Sequence, residues 1–182
     1  MCVSYVGGKS KIAPQLIIPN IPKDIETFVE PFSGQFWTFF KMKLEDYPNL
    51  KTVVYNDFNP LNYNMYQCIK NHQRLLEECE KFTVQEKNVF PTNPVCKEQF
   101  DRFQSEIFAD NFKVEDCDYV VAAKYIYVLT QVFSGANPSK SKFIDLKGKY
   151  KSKYLTFRDK LLKPDWVEHF NKISHFRLGD FE

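Results

Sequence analysis

The chain has 182 residues, of which 43% are hydrophobic, enough to form one domain or one domain with an insert. Its net charge of +2 is close to neutral, so overall charge gives no reason to assign a nucleic-acid partner. The five cysteines are scattered without a CxxC pair or a Cys/His cluster, so they indicate neither a metal site nor a disulfide framework and are typical of reduced thiols in the cytoplasm. No apolar run reaches about 18 residues and no signal peptide leads the chain, so we expect a soluble protein without a membrane partner.

The first 82 residues alternate between predicted helices and predicted buried strands. Pro31 stops the first strand, Val53 and Val54 mark the second, and Asn59 can cap the helix that follows. In chain order we expect a helix over 11–18, a strand over 25–30, a helix over 35–44, a strand over 50–56 and a helix over 59–82. This alternation predicts an α/β fold with a parallel sheet.

The middle of the chain departs from this pattern. Further helices are predicted over 95–108 and 116–133, and a short one follows near Trp166, before a third strand over 176–178. The stretch from 134 to 154 is poor in apolar residues and basic, and we call it the basic arm. Its lysines are Lys140, Lys142, Lys147, Lys149, Lys151 and Lys153. We therefore expect a helical insert with a basic arm between the second and third strands.

Two glycine-containing segments are candidate ligand contacts. Gly7-Gly8-Lys9 would let the backbone approach a ligand closely, and Lys9 can meet a carboxylate, although an ordinary loop is an equal alternative. Glu30-Pro31-Phe32-Ser33-Gly34 follows a strand and opens a helix, which is where open α/β sheets bind ligands. The alternative there is a proline turn that ends the strand and holds a satisfied acid.

Asp57 and the basic arm each have two interpretations. Asp57 follows the second strand, where an acid can accept hydrogen bonds from ribose hydroxyls, but it is equally compatible with a helix cap. The lysines of the arm can neutralise phosphates, whereas a solvated loop is the more usual role of such a run.

The order and spacing of these blocks favour one interpretation. Tyr5-x-Gly-Gly-Lys, then Glu-Pro-Phe-x-Gly, then Asn-Asp-x-Asn and finally Asp180-Phe181 resemble the Dam-type, or D12 class, family of DNA adenine-N6 methyltransferases over nearly the whole chain. Phe133-Ser134-Gly135 and residues 143–150 resemble the family's target-recognition region. The resemblance implies an α/β fold of the Rossmann-like kind found in S-adenosylmethionine-dependent methyltransferases. Only part of that fold would be present, together with a helical target-recognition insert. The resemblance divides the chain into a cofactor-binding part over 1–82, the insert over 83–174 and a return to the core sheet over 175–182.

The resemblance also implies roles for individual residues. It assigns Tyr5 and Lys9 to the methionine part of S-adenosylmethionine, and Glu30, Phe32 and Gly34 to the methionine carboxylate and ribose. It assigns Asp57 to the ribose alone, and Asp180 and Phe181 to the adenine ring. The implied partner is double-stranded DNA, with no metal, and the implied DNA contacts are Lys140, Lys142, Lys147, Lys149 and Lys151.

Two departures from the family pattern are visible. The family's second glycine, two residues after Gly34, is Phe36 here, and a large ring at that position could crowd the cofactor. The family's catalytic Asp-Pro-Pro-Tyr, which holds a flipped adenine by hydrogen bonds and stacks on it, occurs nowhere in the 182 residues. We therefore assign no catalytic residue and predict that this chain alone is inactive.

The expected function is that of a site-specific DNA adenine-N6 methyltransferase, present here as a truncated or split portion that lacks the catalytic motif. The alternative is a non-catalytic DNA-binding or assembly module on a degenerate methyltransferase scaffold. In the family fold, the strand with the catalytic motif lies beside the first strand of this chain. We therefore expect the strand over 25–30 to have an unpaired edge, and to associate with a complementing polypeptide or with another copy of the chain.

Overall fold

A three-stranded parallel sheet forms the centre of the protein. The computed structural model describes residues 8–86, 89, 91–110, 112–132, 136–144 and 153–180. The strands are β1 (Thr27–Glu30), β2 (Thr52–Asp57) and β3 (His175–Leu178), in the order β1-β2-β3. The register pairs Glu30 with Tyr55 and Asp57 with Leu178, so the carboxyl ends of the three strands meet at one edge of the sheet.

Helices surround this sheet and form the rest of the described fold. A π-helical turn (Ala13–Ile17) and a 3-10 turn (Ile18–Asn20) precede β1, and a second 3-10 turn (Leu44–Asp46) precedes β2. The α-helices are α1 (Trp37–Lys41), α2 (Pro60–Lys70), α3 (His72–Glu80), α4 (Pro94–Ile107), α5 (Tyr119–Thr130), α6 (Lys153–Leu161) and α7 (Pro164–Lys172). Within the described part of the chain, none of them is long and apolar enough to cross a membrane.

The three predicted strands and the parallel sheet are confirmed, within one or two residues at each end. The helix predicted over 95–108 is confirmed as α4, the helix predicted over 116–133 is confirmed as α5 but is three residues shorter at each end, and the short helix near Trp166 is α7. The segment predicted as a helix over 11–18 instead forms the π-helical turn followed by the 3-10 turn. Helix α6 was missed, because its first residues were counted with the basic arm.

The single long helix predicted over 59–82 is wrong, because the chain breaks at Asn71. The N–H of Asn71 donates to the carbonyl of Cys68 and closes α2, and its side-chain oxygen accepts the N–H of Arg74, 3.4 Å away, to cap α3. Its backbone, with φ −103° and ψ 71°, is not helical. The side chain of asparagine competes with helical hydrogen bonding, which favours such a break.

The helix predicted over 35–44 is shorter than expected, because it begins only after Phe36. Phe36 has φ 51° and ψ 37°, the left-handed conformation that ordinarily suits glycine. A residue with these angles cannot lie inside a right-handed helix, so α1 starts at Trp37.

Aromatic side chains fill the core, and many of the 18 phenylalanines and ten tyrosines of the chain are buried there. Tyr55 of β2 packs on Tyr66 of α2, with ring centroids 4.5 Å apart. The ring centroid of Phe40 in α1 lies 5.0 Å from that of Trp166 and 5.2 Å from that of Phe170, so α7 packs on α1. Each buried ring removes roughly 150–250 Å² from water, so these contacts dominate the packing energy.

Candidate functional site

A cavity of about 240 Å³ lies at the carboxyl edge of the sheet. This is where open α/β sheets commonly bind ligands, because the loops that follow neighbouring strands converge there. Its walls come from residues 8–9, from the turn after β1, from the end of β2 and from the first turns of α2. The cavity includes five residues that the sequence analysis selected: Lys9, Glu30, Phe32, Gly34 and Asp57.

Ser33 and Asn56 hold the turn after β1 against the end of β2. The N–H of Ser33 donates to the carbonyl of Asn56 over 2.9 Å, and the N–H of Asn56 donates to Oγ of Ser33 over 3.1 Å. The side-chain amide of Asn56 donates to the carbonyls of Pro31 and Gly179, at 2.8 and 3.2 Å. One buried asparagine thus connects the ends of all three strands at the edge of the sheet where the cavity lies.

Most of the hydrogen-bonding capacity of Asp57 is used within the protein. Its Oδ2 accepts the N–H of Gly34 over 2.6 Å, with the hydroxyl of Tyr55 and the amide of Asn62 each 3.4 Å away. Its Oδ1 accepts the N–H of Asn59 over 2.7 Å. A carboxylate offers about four acceptor positions, so the remaining capacity lies on Oδ1. The cap of α2 is Asn59, whose side chain accepts the N–H of Leu61, and not Asp57.

Glu30 lines the same cavity and has one side-chain oxygen without a partner among the described residues. Its Oε1 accepts hydrogen bonds from Nζ of Lys9 at 3.3 Å and from the hydroxyl of Thr38 at 3.2 Å. Its Oε2 is buried and has no hydrogen-bond partner. Burial raises the pKa of the Glu30 carboxyl above its ordinary value, and the charge of Lys9 offsets part of that rise. The side chain is therefore arranged to accept a further donor, best a cationic one.

Two exposed aromatic rings lie at the cavity. Phe32 is 64% exposed and Phe58 is 78% exposed, unusually high values for phenylalanine. Flat apolar faces of this kind can stack on a planar ring. The sequence analysis selected Phe32 but missed Phe58, although its position directly after Asp57 at a strand end is a usable signal. It also missed Gln35, Trp37 and Asn62, which line the cavity as well.

Phe36 does not obstruct the cavity. Its ring is completely buried in the core, with its centroid 4.9 Å from that of Phe39 and 5.2 Å from that of Tyr55. The left-handed backbone turns its side chain away, so that Gln35 and Trp37 line the cavity on either side of it. The crowding considered from the sequence is therefore absent for this residue.

The remaining predicted cofactor residues lie elsewhere. Asp180 is exposed and follows β3, on the same edge of the sheet as Asp57: the N–H of Gly179 donates to the carbonyl of Asp57 over 3.2 Å. Asp180 is not among the residues that line the cavity. Tyr5 and Phe181 lie outside the described residues.

Residues 136–144 of the basic arm form an anchored loop, and residues 153 and 154 belong to α6. Lys140 and Lys142 are exposed, and the side chain of Gln104 in α4 donates to the carbonyls of Pro138 and Ser141 at 2.6 and 2.8 Å. Phe143 packs on Phe100 of the same helix, with ring centroids 5.6 Å apart. Outside the described residues lie Lys147, Lys149, Lys151 and the segment Phe133-Ser134-Gly135.

Comparison with known proteins gives one family match. A family model described as D12 class N6 adenine-specific DNA methyltransferase matches residues 5–179, a range that contains the three strands and the whole described cavity. None of the curated proteins compared with the chain matches it. Among the described side chains, no group of three or more His, Cys, Asp or Glu residues is placed to hold a metal ion.

Proposed function

Because the chain belongs to the D12 class N6 adenine-specific DNA methyltransferase family, we propose that its cavity binds S-adenosylmethionine for methyl transfer to adenine N6 in DNA. The observation that carries the proposal is the buried carboxylate of Glu30, a residue that lines the cavity: one oxygen has an ion pair with Lys9 and the other is unpaired. We further propose that the described sheet belongs to a Rossmann-like fold and that residues 83–174 form its target-recognition insert.

The residues of the cavity fit the chemical groups of this cofactor. Lys9 and Glu30 offer a cation and an anion to the carboxylate and ammonium of the methionine part. Oδ1 of Asp57 has capacity left for a ribose hydroxyl. Asp180 and Phe181 are proposed to hold the adenine ring, and Phe32 offers an exposed aromatic face at the cavity. When bound, the cofactor supplies an electrophilic methyl group; the chain's own residues bind and orient it.

Methyl transfer by this chain alone is not proposed, because Asp-Pro-Pro-Tyr is absent from its sequence. Without acceptors for the amine of a flipped adenine, the attacking nitrogen is not aimed at the methyl group, and orientation is a large part of the rate enhancement. We propose that these 182 residues supply cofactor and DNA contacts, and that the catalytic tetrapeptide is contributed from outside them.

The free edge of β1 supports a complementing strand. Within the described residues, β1 pairs only with β2, and Val29 is 50% exposed. The carbonyl of Glu26 accepts the N–H of Thr52, so by the alternation of a strand the backbone groups of Val29 point away from β2. An edge with unpaired backbone groups and an exposed apolar residue is suited to strand addition, by another polypeptide or by a second copy.

The experiment that tests the proposal combines two measurements on the purified chain. Calorimetry should show binding of S-adenosylmethionine, and a methyl-transfer assay with mixed-sequence DNA should show no turnover above background. Absence of cofactor binding would refute the proposed use of the cavity. Turnover by the chain alone would refute the proposal that the catalytic groups come from elsewhere.

A second candidate is a non-catalytic DNA-binding or assembly module on the same scaffold. The observation that favours it is again the absence of the tetrapeptide. Under this alternative the chain binds double-stranded DNA but not S-adenosylmethionine, so the same calorimetric measurement separates the two candidates.

A further inference from the structure

Gln35 is a buried polar residue of the cavity without a hydrogen-bond partner. Its side chain is only 2% exposed, and neither Nε2 nor Oε1 has a partner among the described residues. Buried side-chain amides are almost always paired, because an unsatisfied buried donor or acceptor destabilises the fold. Gln35 lines the same cavity as Glu30, whose Oε2 is also buried and unpaired. Three unsatisfied polar atoms therefore belong to residues that border one space.

The unpaired atoms of Glu30 and Gln35 indicate which chemical group of a ligand would complete their hydrogen bonds. The Glu30 oxygen accepts, and a buried carboxylate favours a cationic donor. The Gln35 amide needs both an acceptor for Nε2 and a donor for Oε1. Lys9, 42% exposed at its side chain, retains N–H groups for an anion. An α-amino acid carries an ammonium and a carboxylate on one carbon, so it satisfies all three side chains at once.

We propose that Gln35 is a binding residue that recognises the amino-acid end of the cofactor. Its Nε2 donates to the ligand carboxylate, and its Oε1 accepts from the ligand ammonium beside Oε2 of Glu30. The inference rests on the proposed function, since S-adenosylmethionine is the ligand that brings this group to the cavity. A nucleoside edge could satisfy the amide of Gln35, but it offers no cation to Glu30.

The first test compares two ligands that differ in the proposed group. S-adenosylhomocysteine has the amino-acid end, and 5′-methylthioadenosine lacks it. The variant Gln35→Leu should weaken binding of the first ligand about 10- to 100-fold, as for lost hydrogen bonds to charged groups, and leave the second unchanged. Gln67→Leu is the matched control: Gln67 also has an unpaired oxygen, but its Nε2 donates to Tyr63 and it does not line the cavity.

The second test is the thermal stability of the ligand-free protein. Replacing an unsatisfied buried amide by an apolar side chain removes a penalty, so Gln35→Leu should raise the melting temperature by about 2–4 °C. A lower melting temperature would mean that the amide is already satisfied within the protein, and it would overturn the inference. Gln35→Met, which keeps the length of the side chain, is the variant to use if Gln35→Leu does not fold.

The outcomes separate this inference from the proposed function. If the wild-type chain binds neither ligand, both fail. If it binds S-adenosylhomocysteine with an affinity that Gln35→Leu leaves unchanged, only the role of Gln35 fails. An equal loss for both ligands would place Gln35 at the nucleoside part and overturn the assignment to the amino-acid end.

Discussion

The backbone N–H of Gly34 donates to Oδ2 of Asp57 over 2.6 Å and so joins the turn after β1 to the end of β2. Gly34 has φ 49°, a left-handed conformation that glycine adopts without strain, and this conformation helps to form the turn. A carboxylate at the end of one strand therefore shapes the loop of its neighbour. Any ligand contact by Asp57 is made by a residue that also holds the site together.

This dual role predicts different effects for Asp57 and Asp180, the two aspartates that were predicted to bind the cofactor. Asp57→Ala should weaken S-adenosylmethionine binding and also lower the free energy of unfolding by about 2–4 kcal/mol, because buried N–H donors lose a charged acceptor. Asp180→Ala should weaken binding by about 1–3 kcal/mol, as for a lost hydrogen bond, while an exposed position changes stability by less than about 0.5 kcal/mol. Calorimetry and denaturant unfolding of both variants are the measurements. Equal stability losses for the two variants would contradict the assignment.

Substitution of Phe36 should affect folding and not the cavity. Phe36→Ala should destabilise the protein by about 3–5 kcal/mol, the usual range for a buried phenylalanine. Phe36→Gly should be about 1 kcal/mol less harmful than Phe36→Ala, since glycine adopts the left-handed backbone more easily. Neither should increase affinity for the cofactor. The reverse order of stability for Gly and Ala would argue against a left-handed Phe36.

Because of Glu30, the stability of the fold and the affinity for the cofactor should depend on pH in opposite directions. Burial raises the pKa of the carboxyl above 4.5, so the folded state favours its protonated form. The contribution of Glu30 to stability is therefore greatest below 4.5 and is lost as the pH rises through the folded-state pKa. The free energy of unfolding of the wild type, relative to Glu30→Gln, should rise as the pH falls through this window.

Cofactor affinity should fall over the same window, because the ligand ammonium needs the ionised carboxylate. Denaturant unfolding and calorimetry at several pH values measure the two trends. A wild-type affinity that rises on acidification would speak against an ammonium contact by Glu30.

The basic arm should control the salt dependence of DNA binding. Replacing Lys147, Lys149 and Lys151 by alanine should lower the slope of log K against log salt by about three units, roughly one for each lost phosphate contact. A triple variant with the same change in charge, Lys23→Ala with Lys43→Ala and Lys51→Ala, is the control and should keep the slope, because these exposed lysines lie outside residues 83–174 and outside the cavity. If the two variants changed the slope equally, the arm would be a solvated loop without specific phosphate contacts.

The free edge of β1 should make the isolated chain associate. Light scattering at increasing concentration should show species larger than a monomer, unless a complementing strand is supplied. Val29→Pro removes an edge N–H that points away from β2 and should reduce association, whereas Val29→Thr keeps the N–H and should not. A wild-type chain that stays monomeric at high concentration would contradict strand addition at this edge.

Local patterns in the sequence were sufficient to find the strands and five of the eleven residues that line the cavity. The apolar runs of β1 and β2 end at Pro31 and Asp57, and parallel strands bring such ends to one edge, so Glu30, Gly34 and Asp57 could be grouped without coordinates. Helices with a continuous apolar stripe, such as α4 and α5, were predictable for the same reason.

What the sequence by itself determined is thus the order of the strands, the parallel sheet and the edge of the sheet where the cavity lies, because these follow from periodicity and from residues adjacent in the chain. Only the tertiary structure decided where individual side chains lie. Phe36 enters the core because Phe39 and Tyr55 surround it, and the same turn of the backbone leaves Gln35 buried at the cavity. Burial and hydrogen-bond partners depend on residues distant in the chain, and only the folded structure brings those residues together.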